Sequence, residues 1–198
     1  MTQIKGIVFV AAYVLLAGGQ AVGQSSADST DVRIRAAVMA APADLRDKAT
    51  VLGYDSEGKF GSLRIGQNNL VCVADDPSSE GFNVSCYHSD LEPYMARGRE
   101  LRAAGRLPED VLATRSAEVE AGILTMPVHP TTLYVLSGKE GRYNAAADSI
   151  EGAKLRFVIY VPYATPESTG LPVSPTAPGE PWLMDPGTHR AHIMIMPP

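Results

Sequence analysis

Residues 49–77, ATVLGYDSEGKFGSLRIGQNNLVCVADDP, decide the fold because short apolar runs alternate there with turn sequences. The runs at 50–54, 61–65 and 70–74 contain branched and aromatic residues, and such runs predict β-strands. The segments DSEG and GQNN between them have the aspartate, asparagine and glycine that are typical of tight turns. Local pattern alone therefore predicts a three-stranded meander.

Helices are predicted on both sides of this meander. Residues 31–41 place apolar side chains at helical spacing, and Pro42 ends that helix. Residues 89–105 predict a second helix, which ends at a glycine. Residues 108–124 begin with a proline and two acids at favourable first-turn positions. Their apolar residues are loosely spaced, so this third helix is expected to lie half exposed.

The strand pattern returns towards the C-terminus. Residues 131–137, 154–161 and 191–196 predict strands because they are rich in branched and aromatic residues. Residues 162–186 contain seven prolines, which exclude regular structure and predict a long covering loop. Strands and helices follow in runs rather than in strict alternation. The order predicts a single α+β domain at 31–198, with a mainly antiparallel sheet, two to three helices and one disulfide.

The N-terminus is typical of a secretory signal peptide. Residues 1–23 have Lys5 as their only early charge, then an apolar run of eleven residues, then small residues. Cleavage is expected near Gly23, with Ala21 as a rival site, and residues 24–30 are polar enough to predict a disordered leader. The apolar run is about half the length that spans a bilayer, so no membrane span is expected in the mature chain. A secreted or periplasmic protein follows.

The charge balance argues against two classes of partner. The chain has 17 Lys and Arg against 22 Asp and Glu, and its formal net charge is -5. Nucleic acids and anionic membranes attract a clustered basic excess, so neither is expected to bind here. The arginines of residues 95–106 stand near Glu92 and Glu100, which predicts a solvated helix face rather than a binding patch.

The two cysteines, Cys72 and Cys86, predict a disulfide. An even count in an exported protein suggests pairing, and two cysteines allow only one pairing. Closing a loop of about 15 residues stabilises a fold by about 3 kcal/mol in the chain-entropy model. A reactive thiol or a thiolate metal site fits less well, because neither cysteine stands in a CxxC or CxH arrangement.

Catalytic motifs are missing from the sequence. It contains no nucleophile elbow, phosphate-cradling loop, dinucleotide fingerprint, HExxH or EF-hand, so no cofactor is expected. A hydrolase assembled from scattered residues stays as an alternative, with His129 or His192 as its base. One such set is Ser137 with His129 and Asp185.

The closing segment WLMDPGTHRAHIMIMPP raises a metal hypothesis. In a strand, residues three apart point to opposite faces, so His189 and His192 are not expected to bind one ion. His192, Met194 and Met196 share a face, and thioethers beside an imidazole suit Cu(I). The same run fits a buried core strand, which is the favoured interpretation, so no metal site is assigned.

The residues around this segment resemble a family of uncharacterised secreted bacterial proteins. The resemblance rests on an aromatic-x-Met, Gly-Thr and His-x-Met-Ile pattern, with earlier landmarks at 40–42 and 68–77 and at Cys86. It implies an exported protein and the pairing of both cysteines, and it implies no activity. The chain departs from the family at His189, where proline is usual, and at His88, where an acid is usual. His192 is therefore the more interesting histidine.

A non-enzymatic role is the favoured function. The sequence predicts an exported binding or structural module, with a concave or apolar patch beside the proline loop and Trp182. The binding candidates are His129, Trp182, Asp185 and His192. The alternatives are a hydrolase using His129 or His192, and a copper binder using His192, Met194 and Met196.

Overall fold

The structure is a computed structural model that describes Met1 and residues 22–198, so the predicted signal peptide lies almost wholly outside the described residues. The helices are α1 (Val22–Val38), α2 (Glu92–Ala103), α3 (Pro108–Glu120) and α4 (Pro166–Thr169), with 3-10 turns at Ala43–Lys48 and Ser89–Leu91. The strands are β1 (Thr50–Tyr54), β2 (Phe60–Arg64), β3 (Leu70–Val73), β4 (Phe82–His88), β5 (Thr131–Gly138), β6 (Arg142–Asn144), β7 (Ser149–Glu151), β8 (Lys154–Tyr160), β9 (Trp182–Met184) and β10 (His192–Ile195). Within these described parts, no helix is long and apolar enough to cross a bilayer.

Eight strands form one sheet in the order β2-β1-β3-β4-β5-β8-β10-β9. Every neighbouring pair is antiparallel except β1 and β3, which are parallel. The hairpin of β6 and β7 stands apart from this sheet. The α+β class with a mainly antiparallel sheet is confirmed.

The predicted meander is wrong in its strand order. The third strand does not follow the second in the sheet but crosses to the far side of β1. The crossing is tight: the backbone N–H of Gly66 donates to Thr50 Oγ1 at 3.0 Å, and the N–H of Gln67 donates to the Lys48 carbonyl at 2.7 Å. A Cβ at Gly66 would stand 2.2 Å from the Thr50 nitrogen. Because turn chemistry fixes only local geometry, it cannot show on which side of β1 the chain emerges.

Each face of the sheet carries its own apolar cluster. On one face, α1 covers the first strands, and Cys72 and Cys86 lie fully buried beneath it. These cysteines are directly opposite on β3 and β4 and form the disulfide, which confirms the predicted pairing. On the other face, Tyr87 and Leu91 are buried with Val71, and Met95 of α2 packs against them.

Two further predictions are corrected in detail. The helix α1 begins at Val22, so residues 24–30 continue it instead of forming a disordered leader; they contain neither proline nor glycine to stop a helix. The proline-rich segment 162–186 is not free of regular structure, since it contains α4 and β9. The prolines of this segment stand at positions that permit the helix and the strand, because Pro166 starts α4 and Pro181 precedes β9.

Candidate functional site

A groove lies between α2 and the β1–β4 half of the sheet. It has a volume of about 520 Å³ and adjoins a second hollow of about 460 Å³ that shares five of its residues. The shared residues are two aromatic residues, one acid and two arginines: Tyr54, Phe60, Asp76, Arg99 and Arg102. We call the two hollows together the α2 groove.

The floor of the α2 groove is aromatic. Tyr54 and Phe60 are directly opposite on β1 and β2, so their side chains share a face of the sheet. Their rings meet edge to face with centroids 5.2 Å apart. Tyr87 of β4 lies on the same side and is 1 % exposed. This floor offers an apolar surface to the body of a ligand.

One wall of the groove is acidic. Asp75 and Asp76 follow β3 in the turn towards β4, together with Glu80. Asp76 accepts hydrogen bonds from the Ser78 hydroxyl at 2.7 Å and its N–H at 2.9 Å, and these bonds lower the pKa of Asp76. Asp75 is less solvated, and burial raises the pKa of its carboxyl. Asp76 is therefore the group on this wall whose negative charge is best stabilised.

The opposite wall is basic and comes from α2. The Arg99 guanidinium donates to the Tyr87 hydroxyl at 2.7 Å and to Glu92 Oε1 at 2.6 Å. The Tyr87 hydroxyl in turn donates to Glu92 Oε2 at 2.6 Å, and burial together with this bond raises the pKa of Tyr87. Arg99 is thus fixed by two partners, and its charge is balanced by Glu92.

Arg102 differs because no carboxylate of the described chain lies within ion-pair distance of its guanidinium. The residue as a whole is exposed, yet partial burial lowers the pKa of its guanidinium, and the positive charges of Arg115 and Arg99 lower it further. Reduced solvation and like-charge repulsion both disfavour this cation. An anionic group in the groove would relieve both effects.

The α2 groove has the chemical features of a binding site. It combines an unbalanced cation, an ionised carboxylate and an aromatic floor, which together suit a ligand with two opposite charges. No histidine, serine–base pair or thiol lines it among the described residues. Likewise, the described residues contain no cluster of three His, Cys, Asp or Glu side chains that would hold a metal ion.

A second polar cluster lies between α2, α3 and the turn before β10. The Tyr94 hydroxyl, Arg115 Nε and His189 Nε2 are all buried without a hydrogen-bond partner in the part of the chain that the structure describes. The Arg115 guanidinium stacks over the Tyr94 ring at 4.1 Å, and the His189 ring meets the same ring edge to face at 5.9 Å. Burial lowers the pKa of His189, and the charge of Arg190 lowers it further. The cluster is closed from solvent, so it is less suited to a ligand than the groove.

Two of the sequence-predicted residues, Trp182 and His192, lie on neighbouring strands of the sheet. Trp182 is 8 % exposed and lines an apolar groove of about 740 Å³ beside the prolines of the loop. The His192 ring lies against the Tyr160 ring with centroids 5.5 Å apart and ring planes tilted by 32°. Its Nδ1 lies 2.7 Å from the Arg190 carbonyl, which can only accept, so Nδ1 carries the proton.

The predicted hydrolase set is not assembled. His129 and Ser137 stand near opposite ends of β5, about 25 Å apart at the usual strand rise. The Ser137 hydroxyl accepts from Arg156, while the Asp185 carboxylate pairs with Arg190. His129 lines a shallow hollow beside Ser168 without a hydrogen bond to it. Neither His129 nor His192 bonds a Ser, Asp or Glu side chain in the described structure.

Sequence reasoning missed the residues of the α2 groove. It treats the arginines of 95–106 as a solvated helix face, whereas the Arg99 side chain is only 18 % exposed. One local signal for a site was available in the sequence, because two acidic residues, Asp75 and Asp76, directly follow the predicted strand at 70–74. The opposing arrangement of Asp76 and Arg102 comes from tertiary packing, which no spacing along the chain encodes.

No protein family, curated protein or solved structure matches the chain. The resemblance to secreted bacterial proteins therefore stays a prediction.

Proposed function

We propose that this protein is an exported binding module whose α2 groove holds a small zwitterion, of the kind of an amino acid or a short peptide. The ligand carboxylate would lie at Arg102 and its ammonium group at Asp76. An apolar side chain of the ligand would rest on Tyr54 and Phe60.

The observation that carries this proposal is the unbalanced charge of Arg102. Burial and two neighbouring guanidinium groups lower its pKa, and no carboxylate among the described residues pairs with it. A guanidinium binds a carboxylate through two parallel hydrogen bonds, so this position favours a planar anion. Arg99 stands on the same wall, but its charge is already balanced by Glu92, so Arg102 is the cation on this wall that is left for a ligand.

The acidic wall makes a zwitterion a better ligand than a simple anion. Asp75, Asp76 and Glu80 line the same hollow as Arg102 and would repel a polyanion. The Tyr54 hydroxyl donates to Asp76 at 3.3 Å, and the positive charge of Arg102 lowers the pKa of Tyr54 slightly against the larger effect of its burial. Tyr54 thus contacts Asp76 and is close enough to Arg102 to feel its charge, which supports the proposal that one small molecule contacts both groups.

Export is part of the proposal. Residues 1–23 have the pattern of a signal peptide, and the disulfide is typical of oxidising compartments. N-terminal sequencing of protein recovered outside the cytoplasm is expected to begin at Gln24, or at Val22 if the Ala21 site is used. Recovery with residues 1–23 attached would contradict export by cleavage.

Calorimetric titration with the dipeptide alanyl-tyrosine tests the ligand class. The dipeptide is expected to bind, and its N-acetyl and C-amide forms are expected to bind at least tenfold more weakly, because each lacks one charge. Equal affinity for the three forms, or no binding of any free amino acid or dipeptide at millimolar concentration, would refute the zwitterion.

Variants locate the binding in the groove. Arg102→Gln removes the cation and Asp76→Asn removes the anion, and each is expected to weaken dipeptide binding about tenfold or more. Arg106→Gln is the matched control, since Arg106 is exposed just beyond α2 and does not line the groove. Unchanged affinity in Arg102→Gln would place the ligand elsewhere.

A further inference from the structure

Four side chains lie together at the edge of the sheet, on β9 and β10, and we call them the block: Trp182, Met184, His192 and Met194. His192 is directly opposite Met184, and Met194 is directly opposite Trp182. Residues opposite each other across an antiparallel pair share a face, and so do residues two apart in one strand. Imidazole, two thioethers and an indole therefore project from one face of these two strands.

The His192 ring is held as a metal ligand would be. The Arg190 carbonyl accepts the Nδ1 proton at 2.7 Å, so Nε2 is left with its lone pair. Histidine ligands in metalloproteins have this same second contact, which fixes their tautomer and orientation. Packing against Tyr160 further restricts the ring.

We infer that His192, Met184 and Met194 form a binding site for a soft monovalent metal ion, Cu(I) or Ag(I). Thioether and imidazole ligands select soft ions, and no carboxylate belongs to the block to favour a hard one. Trp182 lies beside the site, directly opposite Met194. Met184 is 36 % exposed, which gives an ion a path from solvent.

This site differs from the copper set that the sequence suggests. Met196 follows the end of β10 and is 45 % exposed, so the strand does not hold it on the face of His192. Met184 takes its place because β9 pairs with β10. That pairing joins residues of the proline-rich segment to the C-terminal strand, and spacing in the sequence does not reveal it.

Titration with Ag(I) in chloride-free nitrate buffer tests the site. Silver needs no reductant, so the disulfide stays closed during the titration. Because this disulfide contains both cysteines of the chain, no free thiol can compete for the silver ion. Residues 2–21 contain no His, Cys or Met. We expect binding of one equivalent, with quenching of the fluorescence of Trp182, the single tryptophan of the chain. An acetonitrile complex of Cu(I) under nitrogen is expected to give the same result.

Isosteric variants separate this site from other methionines. Met184→Leu, Met194→Leu and His192→Gln are each expected to weaken Ag(I) binding at least tenfold, and the two leucine variants keep the packing volume. Met196→Leu and Met95→Leu are the controls and are expected to bind like the parent. Absence of saturable binding would overturn the inference. So would a loss in Met196→Leu as large as that in Met184→Leu, or unchanged binding in both Met184→Leu and Met194→Leu.

Discussion

At the scale of single residues, two buried tyrosines have opposite hydrogen-bonding states. The Tyr87 hydroxyl bonds both Arg99 and Glu92, whereas the Tyr94 hydroxyl is buried without a partner. Tyr87→Phe is expected to lower the free energy of unfolding by about 2 kcal/mol, because it breaks bonds to charged groups. Tyr94→Phe is expected to leave it unchanged or raised, since no bond is lost. Urea unfolding measures both, and an equal loss in the two variants would contradict these hydrogen-bond assignments.

His189 makes stability depend on pH. It is 6 % exposed, and its pKa is lowered in the fold, chiefly by burial and then by Arg190. As the pH falls, His189 is therefore protonated in the unfolded chain at a pKa of about 6.5, and in the folded chain only at a lower pH. The contribution of His189 to stability is complete above that pH and is lost as the pH falls towards the lower folded value.

Urea unfolding at pH 7.5 and pH 5 measures this contribution. The parent is expected to lose more stability between the two values than His189→Phe, which keeps an aromatic ring beside Tyr94 but does not titrate. Identical losses in parent and variant would show that His189 titrates normally in the fold.

Some individual residues could be predicted from the sequence and others could not. The disulfide followed from the count of two cysteines and the compartment. Arg102 and Asp76 could not be recognised, because each becomes unusual only when α2 lies over β3. The sequence does not show which helix face packs against which strands, and the charge state of both residues depends on it.

At the scale of elements, the crossing of the chain at Gly66 determines the strand order. A Cβ there would stand 2.2 Å from the Thr50 nitrogen. Because the close atom belongs to the backbone, the backbone itself would have to move to relieve this contact. Gly66→Ala is therefore expected to lower the free energy of unfolding by about 2–3 kcal/mol. The matched control is Gly61→Ala in β2, where no atom lies within 4 Å of the added Cβ. Thermal or urea unfolding checks both, and equal stability of the two variants would contradict the tight crossing.

The elements themselves were predicted unevenly. The structure confirms strands β1, β3, β5, β8 and β10 within one residue of their predicted bounds. Helices α2 and α3 are confirmed with larger differences, because α2 begins three residues later than predicted and α3 ends four residues earlier. The alternation of Phe82, Val84 and Cys86 is a period-two signal for β4 that the sequence analysis did not use. The three-residue strand β9 is too short for any periodicity, and its existence depends on pairing with β10.

At the scale of the whole molecule, the disulfide joins β3 and β4, the third and fourth strands of the eight-stranded sheet. Both cysteines are fully buried in the cluster beneath α1. Replacing both with alanine is expected to lower the free energy of unfolding by about 3 kcal/mol, since the open chain regains the entropy of a 15-residue loop. Calorimetry of the double variant measures this, and a loss below about 1 kcal/mol would contradict it.

The central claim is that the α2 groove is where this protein binds its ligand. Two-dimensional amide spectra of the ¹⁵N-labelled protein during titration with alanyl-tyrosine test it most directly. The account predicts shift changes in the turn after β3 and in the C-terminal half of α2, around Asp76 and Arg102. Shifts confined to the edge around Trp182 and His192, or an unchanged spectrum at saturating dipeptide, would contradict it.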